Sequence, residues 1–258
     1  MLDFFGERHA RVYSELPNVQ LVAVFDSDIN RAREIAERYG CEAATDIDSL
    51  FGKIDVASIV TPTGDHAKMA IPLLNAGVDI LIEKPITATL QEADEIIQLA
   101  QEKGRIVQVG HIERYNPALL KLKEYAMLPR LIECHRMGPF VERAANVSVV
   151  LDLMIHDIDI VLSIATSALI KVDAVGLSVV SPETDIAYAR LSFSDGLVAN
   201  LTASRASEER VRTLRIFQDQ GYFSLNYLTR ALVAISHQHP SQGSHPCRGR
   251  TLRRRQRL

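Results

Sequence analysis

Paired cysteines, long apolar runs and a large excess of one charge are all missing from this sequence. Its three cysteines, Cys41, Cys134 and Cys247, are far apart and odd in number. They form no metal-type pair and no disulfide framework, so a reducing cytoplasm is the simplest compartment. No apolar run approaches the roughly 18 residues that span a bilayer. The start shows no basic-then-apolar pattern of signal-peptide type. Lysine and arginine number 29 against 32 acidic residues, a formal net charge of −3, which exerts no general pull toward nucleic acid or anionic membrane. No repeat of solenoid period occurs. What remains is an ordinary soluble composition, 47% hydrophobic and 24% charged, in 258 residues, enough for one large domain or two ordinary ones.

The first part alternates strand and helix. "QLVAVF" (20–25) is a β-branched apolar run that ends at Asp26. "SDINRAREIAERYG" follows, with Asp28 as N-cap and Gly40 as stop. "VASIVT" (56–61), "DILIEK" (79–84) and "RIVQVG" (105–110) read as further strands. "HAKMAIPLLNAG" reads as a helix that Pro72 bends or begins. "TLQEADEIIQLAQEKG" is a helix with Thr89 and Glu92 at capping-box spacing and Gly104 at its end. Continuous apolar strands between helices predict a parallel sheet covered on both faces, a Rossmann-like doubly wound α/β domain over 1–110.

After Gly110 the period changes. "NPALLKLKEYA" is a helix with Asn116 as cap and Pro117 at its first position. A long apolar helix is expected from about Ser148 to Ala165. Then alternation takes over. Ala187, Ala189, Leu191 and Phe193 share one face, as do Leu197, Ala199, Leu201 and Ala203 across the turn "SDG". This predicts an α+β domain over 111–236 built on an open antiparallel sheet, whose uncovered face suits homo-oligomerisation. From His237 no acidic residue occurs, and six of the last eleven residues are arginine. A disordered, solvated basic tail over 237–258 is the reading adopted. A nucleic-acid or membrane-surface arm and an abnormal, frame-shifted terminus are the alternatives.

Four places carry chemistry. Asp26 closes a strand twenty residues after Gly6. In a dinucleotide-binding unit an acid there accepts the adenosine ribose hydroxyls and repels a 2′-phosphate, which points to NAD. A turn or cap residue is the plainer reading. "TPTGDH" (61–66) follows the next strand, where ligands of open α/β sheets lie, so Thr61, Pro62 and His66 are candidate cofactor contacts. His66 equally suits a structural cap. "IEKP" (82–85) puts Glu83 and Lys84 at the end of an apolar strand. A lysine there is costly unless it is paired or faces a cleft, and a desolvated lysine can trade protons. A lysine that snorkels to solvent is the alternative. In "DLMIHDID", Asp152, His156 and Asp159 fall at i, i+4 and i+7, within an arc of roughly 60° on an α-helix. A carboxylate one turn from an imidazole fixes its tautomer and stabilises its charged form. Asp157 lies off that stripe and reads as a partner for backbone or a neighbouring domain. No third metal ligand is marked, so no metal is expected.

Asp26, "TPTGDH", "EKP" and the pair Asp152 and His156 together resemble the Gfo/Idh/MocA family of nicotinamide-dependent oxidoreductases, over roughly residues 1–230. The resemblance implies NAD as cofactor, with Gly6, Asp26, Thr61, Pro62, His66 and Glu83 around it. It implies that Lys84 and His156 face the reacting carbon and that Asp152 contacts substrate. "VGHIERYNPA" and "DIAYARL" are similar to a narrower branch, the UDP-N-acetylglucosamine 3-dehydrogenases. Arg114, Tyr115 and Asn116 are then candidate contacts to sugar or phosphate, with helix capping by Asn116 and a solvated Arg114 as the alternative. The expected activity is oxidation of a secondary hydroxyl on a sugar or sugar nucleotide, or its reverse.

The family begins with a strand and Gly-x-Gly-x-x-Gly. Aligned on Gly6, Met1 and Asp3 take the places of the first two glycines, and no residues remain for the strand. Asp3 also sets a negative charge where pyrophosphate should approach. The chain therefore reads as a fragment clipped at both ends, expected to be poorly stable and inactive. A non-catalytic remnant or sugar-nucleotide binding module is the competing function.

Overall fold

The structure is a computed structural model that describes residues 4–125, 128–142, 147–219, 221–236 and 252–257; of Phe4, Ser236 and 252–257 only the backbone is described. It divides into two units, Met1–His111 and Ile112–Leu258. Met1 and Asp3, where the sequence reading sets lost glycines, lie outside the described residues.

In the first unit the local signals act as read. Helix α1 (Phe4–Glu15) leads to β1 (Ala23–Phe25). Helix α2 (Ile29–Tyr39) starts with the Asp28 side chain accepting from the Asn30 amide. It stops at Gly40, whose φ of 69° lies in the left-handed region that only glycine enters without penalty. Strand β2 (Glu42–Ala44) follows and pairs parallel with β1. Then come β3 (Val56–Ile59), α3 (His66–Asn75, with Pro72 inside), β4 (Asp79–Ile82), α4 (Leu90–Lys103) and β5 (Val107–Val109). The full capping box of Thr89 and Glu92 opens α4.

These strands form two parallel sheets, β1-β2 and β3-β4-β5. The run read as a strand over 20–25 is ordered as strand only over 23–25. The reason is that β1 has one strand neighbour among the described residues, so part of its backbone has no ladder to join. Two separate cores result. One gathers Ile59, Leu74, Ile80, Ile82 and Ile96 under α3 and α4; the other gathers Ala10, Val24, Ile35 and Ala36 under α1 and α2.

In the second unit, α5 (Pro117–Leu122) precedes β6 (Leu131–Met137). A π-helical turn (Val150–Met154) runs into α6 (Ile155–Ile164). Strands β7 (Leu169–Leu177), β8 (Ile186–Phe193), β9 (Val198–Ser204), β10 (Val211–Gln218), β11 (Gly221–Asn226), β12 (Ala231–Ser236) and β13 (Leu252–Arg257) complete it. The order is β13-β12-β11-β10-β6-β9-β8-β7. Alternation places Ala187, Leu191, Phe193, Ala199, Leu201 and Ala203 in the core beneath α5 and α6, as their shared phase requires.

Three expectations are corrected here. The sheet is mixed, because β6 and β9 pair parallel. The chain between them carries α6 and a hairpin, long enough for the crossover that parallel pairing demands. The apolar helix expected over 148–165 is π-helical through Asp152, so the Asp152-to-His156 step does not follow ideal α-helical geometry. Within the tail read as disordered, residues 252–257 pair antiparallel with β12. An exposed strand edge offers unpaired amides and carbonyls, which an extended segment can satisfy whatever its side chains. The rest of that tail, 237–251 and 258, lies outside the described residues. No described helix is long and apolar enough to cross a membrane.

Candidate active site

The candidate residues fall into two sets, one in each unit. In the first unit they gather at the carboxyl ends of the parallel strands, where amide groups and connecting loops meet a ligand. Asp26 follows β1 directly. It is buried, and its Oδ1 accepts from the Asp28 amide at 2.8 Å. Thr61, just beyond β3, has a buried Oγ1 with no hydrogen-bond partner. Such a hydroxyl is costly unless a ligand meets it. Pro62 next to it is extended, and its carbonyl accepts from the Asp65 amide.

His66 is fully enclosed. Its Nδ1 faces the carbonyls of Pro85 and Ile86 at 3.0 and 3.1 Å, and its Nε2 faces the Thr61 carbonyl at 2.9 Å. Both ring nitrogens are thus engaged on backbone, so His66 braces the Thr61 loop against the Pro85 loop. Of the two roles read from the sequence, the geometry favours the structural one.

Glu83 and Lys84 follow β4, both partly buried, with a cis bond between Lys84 and Pro85. Glu83 accepts from His9 Nε2 at 3.2 Å. Burial pushes its carboxyl upward, but the His9 hydrogen bond and charge, with help from Lys84, outweigh that and hold it below the usual range. Gly110 leaves room for it: a Cβ there would lie 2.8 Å from Glu83 Oε1 and would push the carboxylate aside. Gly6 takes the third glycine's place in the alignment with the family motif. It lies buried in the first turn of α1, because that helix already begins at Phe4.

In the second unit, Asp152 and His156 occupy the π turn and the first turn of α6, both partly buried. Arg114 is paired although 43% of its side chain stays exposed: its Nε and Nη2 donate to Asp159 Oδ2 and Oδ1 at 2.7 and 2.6 Å, a bidentate pair. Asn116 caps α5, accepting from the Ala118 amide and donating to the Tyr227 carbonyl. Its amide is therefore committed to structure, while Tyr115 stands exposed.

The sequence reading missed the group that holds this region together. Arg136 on β6 is 2% exposed, in the same phase as buried Ile132 and Cys134. Its Nε and Nη2 donate to Asp157 at 3.0 and 2.9 Å, and Nη2 donates also to Glu113 at 3.0 Å. Burial disfavours the charged guanidinium, but Asp157 and Glu113 more than compensate and hold its proton more firmly than usual. Asp157, which shares Arg136 with Glu113 and is almost fully buried, is pushed upward by that burial in spite of Arg136. Two arginine–carboxylate pairs therefore tie α6 to the turn at Ile112–Tyr115, one through Asp157 and Glu113, one through Asp159 and Arg114. The available signal was a charged residue in the apolar phase of "LIECHRM". Among the described residues no His, Cys, Asp and Glu cluster suits a metal.

A parallel sheet with an acid after its first strand and a lysine after β4, followed by a second unit that carries Asp152 and His156 on the π turn and α6, fits a nicotinamide-dependent oxidoreductase. The chain belongs to the Gfo/Idh/MocA family: residues 2–111 match the oxidoreductase family, NAD-binding Rossmann fold, and residues 124–224 match the GFO/IDH/MocA C-terminal domain. It is similar to UDP-N-acetylglucosamine 3-dehydrogenase of Acidithiobacillus ferrooxidans, 40% identical over 228 residues, spanning 88% of this chain and 72% of that protein. The solved structure of that enzyme superposes with a TM-score of 0.87 at 36% identity, covering 97% of this chain and 80% of the other. A levoglucosan dehydrogenase solved with NADH and levoglucosan shares the fold, with a TM-score of 0.83 at 20% identity, covering 99% of this chain and 78% of that one.

Proposed function

We propose that this protein is an NAD-dependent dehydrogenase that oxidises the 3-hydroxyl of UDP-N-acetylglucosamine to a ketone, or runs the reverse reaction. One observation carries the reading: a partly buried Lys84 at the carboxyl end of β4, in a chain 40% identical along 88% of its length to an enzyme of that name. Asp26 and Thr61 are the residues that would hold the cofactor. The buried carboxylate suits ribose hydroxyls, and the unpartnered Thr61 hydroxyl suits a polar ligand atom. NAD, when bound, supplies the hydride acceptor.

The chain's own part is to move the hydroxyl proton. Lys84 and His156 are the two groups suited to accept it, and Asp152 orients the sugar. Arg114 is fixed by Asp159 with over 40% of its side chain exposed, which leaves room for a further anionic contact such as a diphosphate. We place the enzyme in the cytoplasm. We also propose that it self-associates through the second unit, where Leu169, Val172, Val175 and Leu177 of β7 are exposed.

The competing reading is a binding module without turnover. The experiment is to follow NADH formation by the purified chain with UDP-N-acetylglucosamine, UDP-glucose and free inositol, and to measure nucleotide-sugar binding by calorimetry. Turnover on the first substrate supports the proposal. Binding without turnover favours the module, and turnover on inositol alone refutes the sugar-nucleotide assignment.

A further inference from the structure

Strand β10 carries an arginine in its apolar phase. Leu214 and Ile216 are buried in the core of the second unit, and Arg212 shares their side of the strand. Register sets Arg212 directly opposite Arg136 of β6. Opposed residues of an antiparallel pair project to one face, so two guanidinium groups start side by side on the core face of one sheet. Like charges in that arrangement are destabilising.

The two arginines are served differently. Arg136 takes the carboxylates of both Asp157 and Glu113. Arg212 is partly buried, and its side chain makes no hydrogen bond or ion pair among the described residues. Burial and the charge of Arg136, with help from Arg210, hold its proton less firmly than usual, and Glu113 and Asp157 do not offset this. A guanidinium carries five donors and no acceptor. Keeping one half out of water beside a like charge is unfavourable unless an acceptor arrives. The next position across the sheet shows a second unmet donor. Tyr227 gives its amide to the Arg212 carbonyl, and its hydroxyl is buried with no hydrogen-bond partner. Arg210, just ahead of β10, is exposed, and its stem passes Gly138 at the end of β6.

We propose that Arg212, with Arg210 at its rim, is an anion subsite that takes the diphosphate of the nucleotide sugar. Phosphate oxygens suit an arginine fork, which meets them with parallel charge-assisted bonds. Arg212 is free for this role because the acids that could have neutralised it are bonded to Arg136. The identity of the anion rests on the sugar-nucleotide reading above, whereas the vacancy at Arg212 is a matter of charge and register alone.

The test uses the full 258-residue chain and reads binding apart from turnover. UDP is titrated by calorimetry into the unaltered protein, Arg212→Gln, Arg212→Lys and Arg215→Gln. Arg215 lies on the opposite face of β10, 3.9 Å from Glu133, so its loss removes the same charge away from the subsite. UDP is expected to bind the unaltered protein and to bind Arg212→Gln roughly 10- to 100-fold more weakly, with Arg212→Lys between them and Arg215→Gln unchanged. The KM for UDP-N-acetylglucosamine should rise in step in Arg212→Gln, with kcat changed little. Should Arg212→Gln fail to fold, Arg212→Lys decides alone: weakened UDP binding supports the subsite and unchanged binding overturns it. Absence of UDP binding by the unaltered protein, equal affinity in Arg212→Gln, or an equal loss in Arg215→Gln each overturn it as well. UDP binding that needs Arg212 in a chain without turnover keeps the subsite and refutes the dehydrogenase. Turnover of UDP-N-acetylglucosamine with an unchanged KM in Arg212→Gln keeps the dehydrogenase and refutes the subsite.

Discussion

Replacing Arg136 with methionine tests the physical account of the second unit most directly. The guanidinium is 2% exposed and Asp157 is equally buried, so the substitution removes one charge and leaves its partner in a site with little water. Glu113, 18% exposed, loses a partner too. Breaking a buried pair from one side costs about 3–5 kcal/mol, because the remaining charge stays uncompensated. For a unit of this size each kcal/mol lowers the midpoint by about 2–4 °C. Arg136→Met is therefore expected to lower the thermal midpoint of the second unit by roughly 6–20 °C. By contrast, Arg114→Met breaks a pair whose arginine is 43% exposed, and should cost no more than about 1 kcal/mol. The decisive comparison is Arg136→Met with Asp157→Leu. Removing both charges together should recover at least half of the loss, since the penalty belongs to the stranded ion and not to the pair's net worth. Urea unfolding followed by circular dichroism on the three variants supplies the cycle. A loss below about 1 kcal/mol for the single variant, or a double variant that merely sums the two singles, would refute the reasoning.

Further outcomes are expected. Asp26→Ala should relax a preference for NAD over NADP, read as the ratio of the two affinities by calorimetry; tighter NADP binding by the unaltered protein would count against the role of Asp26. Lys84→Ala and His156→Ala should each cut turnover by roughly 10²–10⁴-fold, with cofactor affinity little changed in the histidine variant; near-full turnover after His156→Ala would remove that residue from the chemistry. Asp185 accepts from the amides of Val179, Val180 and Ser181 and from Arg205. Burial pushes its carboxyl upward, yet the Val179 amide, Arg205 and Ser181 outweigh this and hold it far below the usual range. A pKa depressed by folding gives stability that is complete above the ordinary value of about 3.9 and is lost as pH falls through it. The midpoint of the unaltered protein should thus fall more steeply between pH 5 and the acid limit than that of Asp185→Asn, and parallel curves would contradict the assignment. Gly110→Ala should displace Glu83, because the new Cβ would meet its carboxylate at 2.8–3.0 Å; a change in the His9 imidazole resonance checks this, and an unaltered one speaks against it.

The features legible in the chain alone are those whose causes lie within a few residues of each other. Asp28, Thr89 with Glu92, and the left-handed Gly40 and Gly104 are satisfied by neighbours on the same helix. The alternation of "AYARLSF" and "LVANLTAS" assigns each residue to a face before any partner is known, because strand side chains alternate whatever the strand pairs with. Lys84 stood out for a similar reason, as a charge ending an apolar strand.

Other features depended on partners distant in sequence. Nothing near His66 tells that its ring is taken by carbonyls from residues 61, 85 and 86. Asp157 reads from the sequence as a partner for backbone or a neighbouring domain; its actual partner is Arg136 on β6 of the same unit, 21 residues away along the chain. The parallel pairing of β6 with β9, the π turn through Asp152 and the pairing of β13 with β12 are likewise set by which edges and surfaces meet. A short-range pattern specifies what a residue can offer, whereas a buried charge or an open strand edge takes its meaning from the group that tertiary packing places against it.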